Sequence, residues 1–485
     1  MGLAGDLVVR NGRVVDPESG LDRTADVLVS GGRVTAIGAG PYDAPLALDA
    51  RGLVVAPGFV DLHSHAQNVP SQRLQALDGV TTALELEAGV RDVRRAVAEA
   101  AAEGRPINYG FAASWTAARM RVLDGFSGSD ESIFDFTAGM EGTSWRAPAS
   151  SAALVRVLGR IEDEVAAGAI GIGVLLGYAP DTDPGEYQAV ARLGHRLGVG
   201  LFTHARSKAG EGSAPLAGVA ELAEVSAATG AQLHACHLNS TCLRVVEEGH
   251  RLVESARANG ARVSTEMYPY GAGMTAVGAA FLAPDRLAGL GLVPHDLVVA
   301  GTGRPVHDAE ELRRLRAEAP RTLVIIHYLD ENAELLPRAI AGADVAVASD
   351  AVPFVDSEGR MLDRGDPVPG ESRTHPRSVG TYARFLHTMR TTGRLDLAAA
   401  LRRCSLLPAQ IMEPAAPVMR RKGRVQVGAD ADLVVFSPDE VRDRATYADP
   451  TLASTGMRHV LVGGVPVVRD GVLDRSVRPG RLVRP

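Results

Sequence analysis

Val54-Val55-Ala56-Pro57-Gly58-Phe59-Val60-Asp61-Leu62-His63-Ser64-His65 is the stretch from which the fold can be worked out. An apolar run broken by Pro57-Gly58 resumes as a short strand and ends on two histidines separated by one residue. Side chains two apart on an extended backbone share a side, so His63 and His65 form a chelating pair with Asp61 next to them. Imidazoles paired at a strand's carboxyl end suit a divalent transition metal. A His-Ser-His in a surface loop is the plainer alternative, and only further ligands elsewhere can decide between the two.

The totals narrow the field. A chain of 485 residues, 46% hydrophobic, is long enough for a large globular body with an accessory domain. A net charge of -7 leaves no basic footprint for nucleic acid. The opening Met1-Gly2-Leu3-Ala4-Gly5-Asp6 lacks a basic, apolar leader, and Asp6 spoils a myristoylation pattern. No apolar run is long enough to span a bilayer, so no membrane partner is expected. Cys236, Cys242 and Cys404 cannot make a disulfide framework and include no Cys-x-x-Cys, which points to a reducing, cytoplasmic setting. Lysine occurs only at positions 208 and 422. Nothing fixes the oligomeric state, and a homo-oligomer is compatible with all of this.

Upstream of the quoted stretch, short strands over 6–10, 13–16, 25–30, 33–37 and 46–55 alternate with turn formers such as Asn11-Gly12 and Ser30-Gly31-Gly32. The far end repeats the style over 428–436 and 459–471, so residues 1–57 and 411–485 are expected to pair into one small discontinuous β-sandwich domain. Between them, over 58–410, short apolar strands alternate with helical patterns, which implies parallel pairing through crossovers. Candidate strands cover 58–61, 81–86, 107–110, 171–174, 200–203, 232–236, 262–265, 322–326 and 345–349. That is one more than a (β/α)8 barrel needs, so one lies outside it, and 275–320 looks like an insertion. A TIM-like α/β barrel is the best fit, and such barrels gather their chemistry at the strands' C-terminal ends.

Ligand-type residues should then recur where strands stop. They do: the strand over 81–86 runs into Glu87, 200–203 into His204, 232–236 into His237, and 345–349 into Asp350. By period two, Glu85 shares a face with Glu87 and is the alternative carboxylate. The same counting sends His234 and Cys236 toward the helical layer, as a structural histidine and a buried thiol. His195 falls on a helix and is expected at the surface. His327 could line a site or merely end its strand.

With Ala56-Pro-Gly-Phe-Val-Asp-Leu-His-Ser-His65, Gly79-Val-Thr-Thr82, Thr203-His204, Cys236-His-Leu-Asn-Ser240, Tyr268-Pro-Tyr270, Ser349-Asp350, His375-Pro-Arg377 and Gly428-Ala-Asp-Ala-Asp-Leu433, the chain resembles the amidohydrolase superfamily. Within it, the chain resembles the N-acyl-D-amino-acid deacylase (D-aminoacylase) branch, D-glutamate deacylase-like members above all. The resemblance implies metal-dependent hydrolysis of a small-molecule N-acyl amino acid, of D configuration and acidic like glutamate. It makes His63, His65, His204 and His237 metal ligands, Asp350 the proton shuttle, and Tyr268, Ser240, His375 and Arg377 the substrate's anchors.

Where better-known deacylases place a cysteine ligand, this chain has Leu84-Glu85-Leu86-Glu87, and Glu87 is taken as the ligand. An oxygen ligand in place of thiolate keeps zinc as the expected ion but admits manganese or cobalt, one ion or two. The carboxylated lysine of hydantoinase-type centres is missing from the strand around 171–174. The family's histidine-leucine-lysine appears as His237-Leu238-Asn239, a lost cation for which Arg206 or Arg244 is a candidate replacement. The other readings kept open are an isoaspartyl-dipeptidase-like or cyclic amidase activity and a non-catalytic scaffold.

Overall fold

The computed structural model describes residues 3–206, 214–329, 334–356, 358–362 and 365–485. Eight parallel strands stand side by side in chain order: β1 (Phe59–Asp61), β2 (Val80–Val90), β3 (Asn108–Ser114), β4 (Ile172–Leu175), β5 (Leu201–His204), β6 (Leu233–Ala235), β7 (Val263–Met267) and β8 (Val345–Val347). Alternation sorts their side chains. Val60, Leu84, Phe202 and Ala346 pack together inside, while Leu201, Leu233, Val345 and Val347 join the larger core under the helices.

The helix after β4 shows how locally this layering is encoded. Asp183 accepts the Gly185 amide, Pro184 opens the helix Pro184–Leu197, and Gly198 ends it in the left-handed region. Its inward face is buried, and at Gly194 a side-chain carbon would fall 2.4 Å from Leu201 Cδ1 and 3.0 Å from the Val199 carbonyl oxygen, so glycine suits this close approach to β5.

β1 and β8 close the ring without a regular ladder between them. Asp61 accepts the Ser349 amide at 3.0 Å and the Ser349 hydroxyl, and a bridge joins Ser64 to Ala351 just beyond the strand ends. The Tyr382 hydroxyl reaches the carbonyls of Val60 and Val347, both at 3.3 Å. Asp61 is therefore a clasp across the seam, and burial pushes its pKa up to about 6.

The surplus strand is the one expected over 322–326. Leu323–His327 pairs antiparallel with Ala272–Ala276 and Leu297–Val299, and the latter with Arg304–Pro305, in a separate four-stranded sheet. The inserted unit thus runs from 272 to 327 rather than over 275–320. Its Leu-Val-Ile-Ile run is as apolar as a barrel strand because it too is covered on both sides.

The two ends of the chain meet as expected. Leu433–Phe436 lies antiparallel to Val54–Pro57 in a nine-stranded sheet, and Val14, Val27, Val55, Val435 and Leu461 share one core. Asn11-Gly12 is not a hairpin turn. Leu7–Asp16 is a single strand whose register slips there, with Asn11 at φ 61°.

Candidate metal centre

The histidine pair of β1 is held from behind by carboxylates. His63 Nδ1 lies 2.5 Å from Glu266 Oε1 and His65 Nδ1 2.8 Å from Glu85 Oε2, so both rings donate from Nδ1 and turn Nε2 forward. The two Nε2 atoms stand 3.2 Å apart. Two imidazole lone pairs face to face at that separation repel unless a cation or a proton lies between them. Asp350 Oδ1 completes this side at 3.4 Å from His63 Nε2 and 3.5 Å from His65 Nε2.

Across the cleft, Glu87 Oε1 meets His204 Nδ1 at 3.1 Å and His237 Nε2 at 2.7 Å, while Glu87 Oε2 reaches His63 Nε2 at 3.2 Å. Glu87 touches both halves, so its carboxylate could serve the ligands of either side. Burial would raise its pKa, but His63, His237 and His204 around it hold the carboxyl well below the usual range. Two donor sets result, His63–His65–Asp350 and Glu87–His204–His237, each with its ligand atoms within 4.8 Å of one another. Nitrogen and carboxylate donors in sets of three suit divalent transition ions with an open position, so the residues present fit a metal.

The backbone at the strand ends is irregular where this is needed. The β2–β3 ladder pairs Glu85 with Phe111 and resumes with Val90 opposite Ala113, so residues 86–89 bulge and carry Glu87 inward. His237 sits at φ 31° and Asp350 at φ 50°, left-handed conformations uncommon outside glycine. The turn at His237 overturns the expectation for His234 and Cys236. Because β6 ends at Ala235 and His237 departs from the extended backbone, counting back from it by twos fails. His234 faces the barrel interior, 5.2 Å between its ring and that of Phe202, and Cys236 is buried there too.

Those inward positions have a purpose. His234 Nε2 is 3.1 Å from Glu266 Oε2 and its Nδ1 2.7 Å from the hydroxyl of the half-buried Ser264, so Ser264, His234 and Glu266 form a chain ending on His63. Glu266 was not among the expected site residues. The sequence signal was a lone acid inside the short strand Val263–Met267.

The expected anchors divide. Ser240, Tyr268 and Arg377 line the cleft, with Ser240 Oγ also 2.8 Å from His237 Nδ1. The Arg377 guanidinium stacks on the Tyr268 ring, donates Nη2 to Asp350 Oδ2 at 2.9 Å and Nε to the Asp350 carbonyl at 2.8 Å, and leaves Nη1 buried without a partner. His375 does not line the cleft. It is fully buried behind Arg377, accepting that residue's backbone amide on Nδ1 at 3.0 Å. Arg206 does not replace the lost lysine, because Glu221 and the carbonyls of Pro180 and Thr182 occupy it; Arg244 lies outside the lining. Lys208 is outside the described residues. His195 is exposed, as expected, and His327 rests edge-on against Tyr447, away from the cleft lining.

A closed parallel barrel whose strand ends converge imidazoles and carboxylates on two adjoining donor sets defines a hydrolase of the metal-centre barrel class. The Amidohydrolase family model matches residues 47–240 and 185–468, and the chain belongs to that family. It is similar to N-acyl-D-glutamate deacylase of Alcaligenes xylosoxydans xylosoxydans, 29% identical across 99% of this chain and 96% of that one. D-aminoacylase of the same organism is 28% identical over 96% and 95%. Among solved structures, N-acyl-D-glutamate deacylase from Bordetella bronchiseptica, complexed with zinc and a phosphonate mimic of the tetrahedral intermediate, superposes with a TM-score of 0.77 at 24% identity, covering 99% of this chain and 100% of that one. A D-aminoacylase structure gives 0.78 at 23% identity with the same coverage.

Proposed function

We propose that this protein hydrolyses the amide bond of N-acyl amino acids, N-acyl-D-amino acids foremost, using a divalent transition metal, zinc first, held by His63, His65, Glu87, His204 and His237. The observation that carries this is the pair of donor sets meeting at Glu87, with Asp350 beside them and Arg377, its buried Nη1 without a partner, in the wall of the same cleft. The hand of the substrate rests on the likeness to the D-specific deacylases.

An amide resists hydrolysis because water is a poor nucleophile and the amine a poor leaving group. When bound, the metal supplies a Lewis acid that polarises the carbonyl and brings the pKa of a water from ~15.7 toward ~7. Asp350 takes the proton from that water and delivers it to the departing nitrogen, and Arg377 fixes the carboxylate's orientation while it does so. Arg377 Nη1, held beside Tyr268, grips the substrate's carboxylate. A side chain at Gly273 would crowd this nitrogen at 3.3 Å, so the absence of one keeps the anchor open.

Among the described residues no helix is long and apolar enough to cross a membrane. The three buried free cysteines fit a cytoplasmic location. The test is metal analysis and a stereospecific release assay over N-acyl amino acids of both hands. The purified protein should carry transition metal that His204→Ala and His237→Ala each deplete. Wild-type metal content in both variants would remove the second donor set from the proposal.

A further inference from the structure

The cleft above the donor sets joins titratable groups at the strand ends to an extensive apolar lining. Its apolar lining is built by Leu243, Met274, Phe281, Leu290, Leu292 and Ile326, nearly all from the inserted unit, with the Phe281 ring stacked on that of His204. Among the described residues, the only lysine or arginine lining it is Arg377. The polar groups on the same walls are mostly spent on each other: Tyr178 bonds Thr275, and Tyr328 donates to Tyr268 at 2.8 Å. Among the described residues the cleft therefore offers one guanidinium nitrogen without a partner and an apolar chamber.

Building on the N-acyl amino acid reading, we infer that the substrate carries a single carboxylate and a bulky apolar group, which the chamber receives, and that a second carboxylate is selected against. Among the described residues the chamber has no further counter-ion, so a charged group moved into it loses its hydration and gains nothing from them in return. An apolar side chain gains by burial there, and the two effects together set an expected preference on the order of 100-fold. The apolar group can sit on either side of the scissile amide, as the amino acid's side chain or as the acyl chain. The chamber's chemistry is the same for both.

The experiment compares kcat/KM of the metal-loaded protein for N-acetyl-D-leucine, N-acetyl-D-phenylalanine, N-acetyl-D-alanine, N-octanoyl-D-alanine and N-acetyl-D-glutamate. The leucine and phenylalanine arms, or the octanoyl arm, should exceed N-acetyl-D-alanine by at least tenfold and N-acetyl-D-glutamate by on the order of 100-fold. Which arm rises tells which side of the amide enters the chamber. A preference for the glutamate substrate would overturn the inference while leaving the deacylase reading intact. Should none be hydrolysed, that reading fails, and calorimetric binding of N-acetyl-D-leucine against N-acetyl-D-glutamate decides the chamber by itself, equal or reversed affinity overturning it.

Lys208→Ala is made alongside. The preference should stand unchanged in it, and a glutamate substrate abandoned by this variant alone would show a cation serving the chamber. Leu292→Arg should raise the glutamate substrate about tenfold and lower the leucine one, with the half-buried Leu290→Arg as the second variant if the first does not fold.

Discussion

The barrel's strand ends and the unit inserted after β7 line one cleft by opposite means. The strand ends bring charged and titratable groups together, each held by another: Glu266 behind His63, Glu85 behind His65, Arg377 on Asp350. The inserted unit contributes Met274, Phe281, Leu290, Leu292 and Ile326, whose requirement is volume and dryness. A network of paired charges fails sharply when one member goes, because its partner is left buried and uncompensated. An apolar wall changes by degrees. The same size of substitution should therefore abolish chemistry on one side and retune selectivity on the other.

The sharpest break falls on Asp350. Asp350→Asn keeps the shape but removes the basic oxygen, and kcat should drop by on the order of 10³-fold or more. The ion held by Glu87, His204 and His237 should remain, since that set does not include Asp350. Turnover near wild type would take the proton transfer away from this residue. A smaller effect is expected one layer back, at Glu266. Glu266→Gln keeps a hydrogen-bonding group against His63 but not the charge that raises the ring's basicity, and metal affinity should weaken about 10- to 100-fold by titration against a chelator. Unchanged affinity would make the chain from Ser264 through His234 to Glu266 a packing feature only.

What could be read in advance divides along the same line. His63, His65, His204 and Asp350 were legible because regular strands end on them, and a period of two or an abrupt strand stop is visible in one dimension. His237 was found at its strand end, yet the orientation of its neighbours was not. A left-handed φ of 31° leaves no mark in the string Ala-Cys-His-Leu, so His234 and Cys236 were assigned to the wrong side of the wall. Glu266 was invisible for another reason: a lone acid in a strand acquires meaning only from His63 and His234, brought beside it by β1 and β6. The inserted sheet hid best of all, because Leu323–His327 has the length and composition of a barrel strand and differs only in its partners.

The mildest predicted effect concerns pH, and it too should belong to the strand ends alone. Burial lowers the pKa of His65, but Glu85 more than offsets it, and in the metal-free protein the ring ends at about 9. A histidine whose folded pKa lies above its unfolded value of about 6.5 contributes stability below 6.5 and loses it as pH rises through 9. Chelator-stripped protein should therefore melt a few degrees lower at pH 9 than at pH 6.5. Asp78, pushed up to about 8 by burial, bends the curve in the same direction but lies outside the centre, so it acts with or without metal. Glu87, Asp350 and Glu266 also hold the His63 ring well above its usual pKa against the effect of burial. The difference between stripped and loaded curves therefore separates the His63–His65 pair from Asp78, since a bound ion takes the place of the protons and removes that part of the slope. The gap in melting temperature between the two forms should widen as pH climbs from 6.5 to 9, and parallel curves would show that the His63–His65 pair does not exchange protons for the ion.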